Sequence, residues 1–250
     1  MRRARRTSGK AQRREVRRLA AASADPALHF LLLLPLALLH LSGRAHADLA
    51  AYGLVEALLR RLGPAAGWLL AAGLMAGLLW AIGRIRRRRL AWRGGLLLAA
   101  FEGVLWGLLL GPLLQLCLRL VSLPVAPLSV PGSAGALHGI LAVAAGAGLY
   151  EELLFRAALL SACAALFARL PGLRGRDRLL SLGLAVLVTA ALFSAAHALG
   201  DPQALEGPVF VYRFLAGGLL GVLYLARGLA VVAYAHATYD AVVMLWSSPA

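Results

Sequence analysis

Three short patterns place ionisable side chains inside apolar stretches of this chain. The first is Tyr150-Glu151-Glu152-Leu153-Leu154-Phe155-Arg156. On a helix, Glu152 and Arg156 are four apart, share a face and pair. Glu151 lies about 100° further around the axis and is left free to react. The second is Phe193-Ser194-Ala195-Ala196-His197, in which the ring and the imidazole share a face. The third is His236-Ala237-Thr238-Tyr239-Asp240, whose spacing puts His236 beside Asp240. An ionisable group at the centre of a bilayer costs from about 2.5 to more than 10 kcal/mol, so its presence there marks a functional site with a partner.

These residue types suit hydrolysis. A carboxylate and an imidazole that converge on one water activate it for attack on a carbonyl carbon, and a scarcely hydrated carboxylate is the better base. A second imidazole stabilises the oxyanion that develops, an interaction typically worth about 2.7–4 kcal/mol. Glu151, His197 and His236 are the candidates for this work, with Asp240 orienting His236 or holding its proton. The same Glu151, His197 and His236 are also a ligand set for zinc with one position open to water. No HExxH pattern is present, so the metal reading rests on ligand types alone. His29, His40, His46 and His138 fall near span ends or in loops and suggest no role.

EExxxR, FxxxH and HxxxD, in this order on successive apolar stretches, resemble the type II CAAX prenyl proteases and their bacterial relatives, the CPBP intramembrane proteases. The resemblance covers about residues 136–246. It implies an intramembrane endopeptidase in which Glu151 is the general base assisted by His197, and His236 and Asp240 form the oxyanion side. Glu152, Arg156 and Phe193 shape the site. It further implies a glutamate-dependent enzyme without a metal cofactor, zinc being the alternative. Asp240 departs from the Asn more common in the family. Asn donates a hydrogen bond directly, whereas Asp must be protonated to do so or else must charge His236. Two further classes remain open: a non-catalytic binding or immunity protein of the same fold, and a proton-coupled transporter. The absence of an inverted repeat disfavours the transporter.

The elements that position these residues are membrane helices. The chain has 250 residues, 61% of them hydrophobic, and a net charge of +15. A soluble domain has roughly 45–50% apolar residues. The pattern predicts an all-α polytopic helix bundle of about seven spans, near 26–41, 64–83, 95–121, 136–168, 179–199, 209–226 and 229–246. Arginines gather at 84–93 and 169–178, with Arg227 in a third, very short connection, while 122–135 carries no charge. This asymmetry places the N-terminus and every Arg-dense loop in the cytoplasm. It also excludes nucleic acid as partner, since the arginines anchor topology; the partners are lipid and a protein or peptide substrate. Cys117 and Cys163 read as small buried hydrophobes.

Three regions follow: a basic cytoplasmic tail over 1–25, unstructured over 1–18, three membrane helices over 26–135 and a catalytic helix core over 136–250. The Arg and Ala bias fits a bacterial cytoplasmic-membrane protein. Ala45-His46-Ala47 resembles a signal-peptidase site, but the long basic region favours an uncleaved anchor. Cleavage there is expected to leave the site untouched. Arg169 and Arg178 place Glu151 and His197 roughly 27 Å from the cytoplasmic side. His236, only nine residues after Arg227, is expected to lie shallower.

Overall fold

The computed structural model describes residues 15–43, 61, 63–120, 137–170, 178–197 and 207–247. Its regular elements are all helices, with no strand among the described residues. They are α1 (Glu15–Ser23), α2 (Pro26–Ser42), α3 (Pro64–Arg88), α4 (Trp92–Leu120) and α5 (Leu137–Glu152). A π-helical stretch, Leu153–Leu160, continues α5 directly and leads into α6 (Ser161–Phe167). Then follow α7 (Arg178–His197), α8 (Gly207–Arg227) and α9 (Leu229–Ser247). Residues 1–14, the Ala45–Ala47 motif and the connections at 121–136, 171–177 and 198–206 lie outside the described residues.

Four helices, α4, α7, α8 and α9, are long and apolar enough to cross a membrane. A fifth span is formed if α1 and α2, bent by 59° to one another, count as one. Among the described residues the count by length and composition is thus four or five, and the expected seven is not confirmed. The stretch anticipated as the fourth span is divided into pieces of 16, 8 and 7 residues by the π segment, and α3 is not among the four. Residues 15–18, expected in an unstructured tail, are helical. Cys117 and Cys163 are half-buried rather than buried. Large apolar side chains point outward along the spans, among them Leu97, Phe101, Leu179 and Trp246. Such an apolar exterior suits lipid rather than water.

Local rules account for the helix starts. The Asp25 side chain accepts a hydrogen bond from the Ala27 amide at 3.0 Å, and Pro26 fills the first turn of α2. Pro64 does the same for α3, which ends in Arg86, Arg87 and Arg88 at its negative dipole end.

The central element is α9. Ala230, Val231, Val232, Ala233 and Ala235 are all buried, and α9 residues enter three separate core clusters. One joins them to Leu110 and Leu114 of α4 and Leu220 of α8; another joins them to Leu36 of α2 and Ala145 of α5. Small residues permit this. The buried stripe of α4 runs Gly95, Ala99, Gly103, Gly107 and Leu110 at helical spacing. On α5, a Cβ added at Gly148 would fall 2.5 Å from the Ala233 carbonyl oxygen and 2.8 Å from Ala237 Cβ. Close backbone approach of this kind drives helix association in lipid, where burial of apolar surface supplies little.

Gly148→Leu should therefore force α5 and α9 apart at a cost of at least about 1–3 kcal/mol. A lowered thermal midpoint in detergent and poor accumulation in membranes are the expected results. Gly183→Ala, where an added Cβ meets nothing within 4 Å, should leave both unchanged or improved.

Candidate active site

The site forms where α5 and its π-helical continuation meet the ends of α7 and the middle of α9. Glu151 and Glu152 close α5, Arg156 lies in the π segment, Phe193 and His197 end α7, and His236 and Asp240 lie on α9. The structure brings all seven residues together. Glu151 Oε2 stands 3.8 Å from His197 Nε2 and 3.8 Å from His236 Nε2. Both separations are too long for direct hydrogen bonds and fit one bridging water. Glu151 Oε2 is buried and accepts no hydrogen bond from the described residues.

The two imidazoles are oriented by their other nitrogens. His197 Nδ1 lies 2.8 Å from the Phe193 carbonyl oxygen, one turn back along α7. A carbonyl can only accept, so Nδ1 carries the proton. In the neutral ring, Nε2 is then a base that faces Glu151. His236 Nδ1 lies 2.7 Å from Glu152 Oε1, and its Nε2 lies 3.4 Å from Asp240 Oδ2. Glu152 thus fixes which nitrogen of His236 is protonated first.

Glu152 itself is wholly enclosed, with its side chain 0% exposed. Arg156 Nη1 approaches its Oε1 at 2.9 Å, an ion pair without hydrogen-bond alignment, while Arg156 Nη2 donates to the Gly217 carbonyl of α8 at 3.3 Å. Phe193 is the plate between these groups. Its ring lies 4.7 Å from that of His197, 6.1 Å from that of His236 and 5.1 Å from that of Phe155. The Arg156 guanidinium lies 4.6 Å from its centroid. His197 and Asp240 keep 26% and 22% of their side chains exposed, so the site opens on their side.

Among the described residues no three of His, Cys, Asp and Glu are grouped to hold a metal ion. His236 has one nitrogen committed to Glu152 and the other facing two carboxylates.

The expected shallow placement of His236 is corrected by the turn between α8 and α9. Arg227 is bound by Glu102 of α4, with Nε at 2.9 Å, and its Nη2 also reaches Ser23 Oγ. Glu102 lies ten residues beyond Trp92, about 15 Å along α4, so the hairpin turns deep in the bundle. His236 is then about 10 Å further from the Arg-rich end, near the depth expected for Glu151 and His197. Gly228, at φ 83°, makes the connection in a single residue, and the His29 ring occupies the space a Cβ would need.

Sequence reasoning missed four contributors. Glu102, an acid well inside a span, was visible in the sequence and pointed to a buried partner. The π segment left no sign in apolar spacing. Just after it the Ser161 hydroxyl donates to the Arg156 carbonyl at 3.3 Å and also meets the Tyr224 hydroxyl at 3.1 Å. π segments recur at functional sites. Tyr212 and Tyr239 pair through their hydroxyls beside Asp240. His40, assigned no role, is buried against α5 next to the site.

A direct test of the Glu152 cluster is to remove its cation. Arg156→Met leaves a carboxylate buried without its counter-charge, which should cost about 3–5 kcal/mol. Glu152→Gln/Arg156→Met keeps an acceptor for His236 and removes both charges. Its thermal midpoint should recover at least half of the loss.

No curated protein and no solved structure matches the chain. A family comparison does match, over residues 133–242, and its description is type II CAAX prenyl endopeptidase Rce1-like. That region contains all three motifs and every residue of the site just described. Residues 133–242 of this multi-pass membrane protein therefore belong to the type II CAAX prenyl endopeptidase Rce1-like family of proteases.

Proposed function

We propose that the chain is an intramembrane endopeptidase that cleaves a membrane-anchored or exported protein with a water activated by Glu151 and His197. The observation that carries this reading is the convergence of two Nε2 atoms on one buried carboxylate oxygen, each at 3.8 Å. A water at that point accepts hydrogen bonds from neither imidazole in its neutral form and instead donates, to Glu151 and to His197. Glu151 takes the proton as the water oxygen bonds to the scissile carbonyl carbon. The oxyanion forms on the His236 side. Glu151 then returns the proton to the departing amine as the C–N bond breaks, leaving a carboxylic acid and an amine.

Because His236 Nδ1–H is committed to Glu152, His236 can donate to the oxyanion from Nε2 only as the imidazolium. Glu152 and Asp240 supply the negative charge that balances it. Asp240 is then a counter-ion to His236, a role Asn does not fill. No metal takes part in this reading. The catalytic core is residues 136–250, supported by the helices of 26–135. The remaining long helical stretches, α3 and the run through the π segment, also cross, for about seven spans. The N-terminus and the Arg-rich ends face the cytoplasm of a bacterial cell.

Glu151→Gln keeps the shape of the site and removes the base. It should lower turnover by about 10²–10⁴-fold, while the protein accumulates normally in membranes. His236→Ala should cost about 10²–10³-fold. Comparative membrane proteomics of a deletion strain complemented by wild type or by Glu151→Gln should find the same uncleaved segments in the variant as in the deletion. Normal processing by Glu151→Gln overturns the assignment, and loss of activity with a zinc chelator overturns the metal-free mechanism.

A further inference from the structure

The helix ahead of the family-matched region is bound to the site more closely than a detachable anchor would be. α2 buries Leu28, Leu32, Leu36 and His40 along one face. Leu36 packs with Ala145 of α5 and with Ala233 and Ala237 of α9, the helices that carry Glu151 and His236. At its end Ser42 Oγ meets His138 Nε2 at 3.3 Å, and Gly43 sits directly on Ala142, with no room for a Cβ.

His40 makes the most specific contact. It is 5% exposed, and its Nδ1 lies 3.2 Å from the Ala142 carbonyl oxygen. The carbonyl can only accept, so Nδ1–H donates to it. The same ring packs edge-on against Tyr150, with centroids 5.2 Å apart at 79°. Tyr150 immediately precedes Glu151. One imidazole therefore grips α5 at two points two helical turns apart, the second adjoining the catalytic carboxylate. Just beyond Glu152 the chain leaves α-helical geometry for the π segment, so α5 is held at its Glu151 end by neighbours rather than by a continuing regular helix.

We propose that α2 is a retained part of the working enzyme and that His40 is a positioning residue for Glu151, acting through Tyr150. The kinetic part of this inference rests on the endopeptidase reading; the retention part does not. Cleavage after Ala47 followed by loss of the fragment would strip a buried helix from α5 and α9, contrary to the expectation that such cleavage leaves the site untouched.

The kinetic test uses a synthetic peptide spanning a bond identified by the proteomic comparison above. His40→Ala should lower kcat by about ten- to a hundredfold with KM little changed, as expected for a small misplacement of the base. His40→Asn, which keeps a donor for Ala142, should recover most of that loss. Leu36→Ala should lower the thermal midpoint yet leave kcat intact below it, separating positioning from general packing. An unchanged kcat in His40→Ala overturns the positioning role. The retention test needs no substrate. Ser42→Cys/His138→Cys should cross-link on mild oxidation and run as one full-length chain after reduction. A chain shortened by its N-terminal segment, or failure to cross-link, overturns retention. Normal processing by Glu151→Gln would sink the protease reading while leaving that result standing.

Discussion

One buried carboxylate organises the family-matched part of this molecule. Glu152 is enclosed on all sides, and no solvent within a bilayer can compensate its charge. It is tolerated because Arg156 lies one turn along the same helical path and His236 Nδ1 lies across from it on α9. Arg156 in turn reaches the Gly217 carbonyl on α8. Three helical elements are thereby tied to a single anion. Removing Arg156 would strand the Glu152 charge in a low-dielectric interior, which is far costlier than losing an apolar contact. The geometry of Glu151, the adjacent residue on α5, follows from that constraint.

A second ion pair solves a separate problem of depth. A helix hairpin that turned at the membrane surface would hold His236 too close to the Arg-rich end to meet Glu151. Arg227 allows a deeper turn because Glu102 neutralises it within the bundle. Ser23 and His29 of the N-terminal segment close over the same place: His29 Nε2 donates to the Ser23 carbonyl at 2.9 Å. Asp25, at the bend between α1 and α2, pairs with Arg84 at 2.7 Å. These two ionic clusters form two layers of the bundle. One lies at the candidate site around Glu151 and Glu152. The other lies beneath the α8–α9 turn and sets the height of the first.

Between these layers the packing depends on how closely backbones approach. α9 is flanked by α4 and α5 through glycine and alanine, so its side chains leave little freedom for rotation or sliding. Ring contacts complete the restraint at the site. Phe193 touches both imidazoles and the Arg156 guanidinium, so a change in any of the three is felt by the others. The π segment after Glu152 widens the helix where Arg156 must turn toward Glu152 and Gly217, and Ser161 and Tyr224 occupy polar positions beside it.

What the sequence by itself determined was local. Apolar runs and arginine spacing specify membrane helices, because lipid admits only segments that satisfy their own backbone. Pairings four residues apart, Glu152 with Arg156, Phe193 with His197 and His236 with Asp240, follow from the pitch of a helix and were legible before any coordinates. The tertiary structure decided everything that depends on how one helix is rotated and how deep it sits. Glu152 meets His236 across 84 residues and Arg227 meets Glu102 across 125, and nothing in hydropathy encodes either register. The same holds for the docking of His40 on α5, for the π segment, and for the number of helices long enough to span. Rotation and depth are set by where small side chains let backbones touch and where buried charges find partners, and both are properties of the assembled bundle.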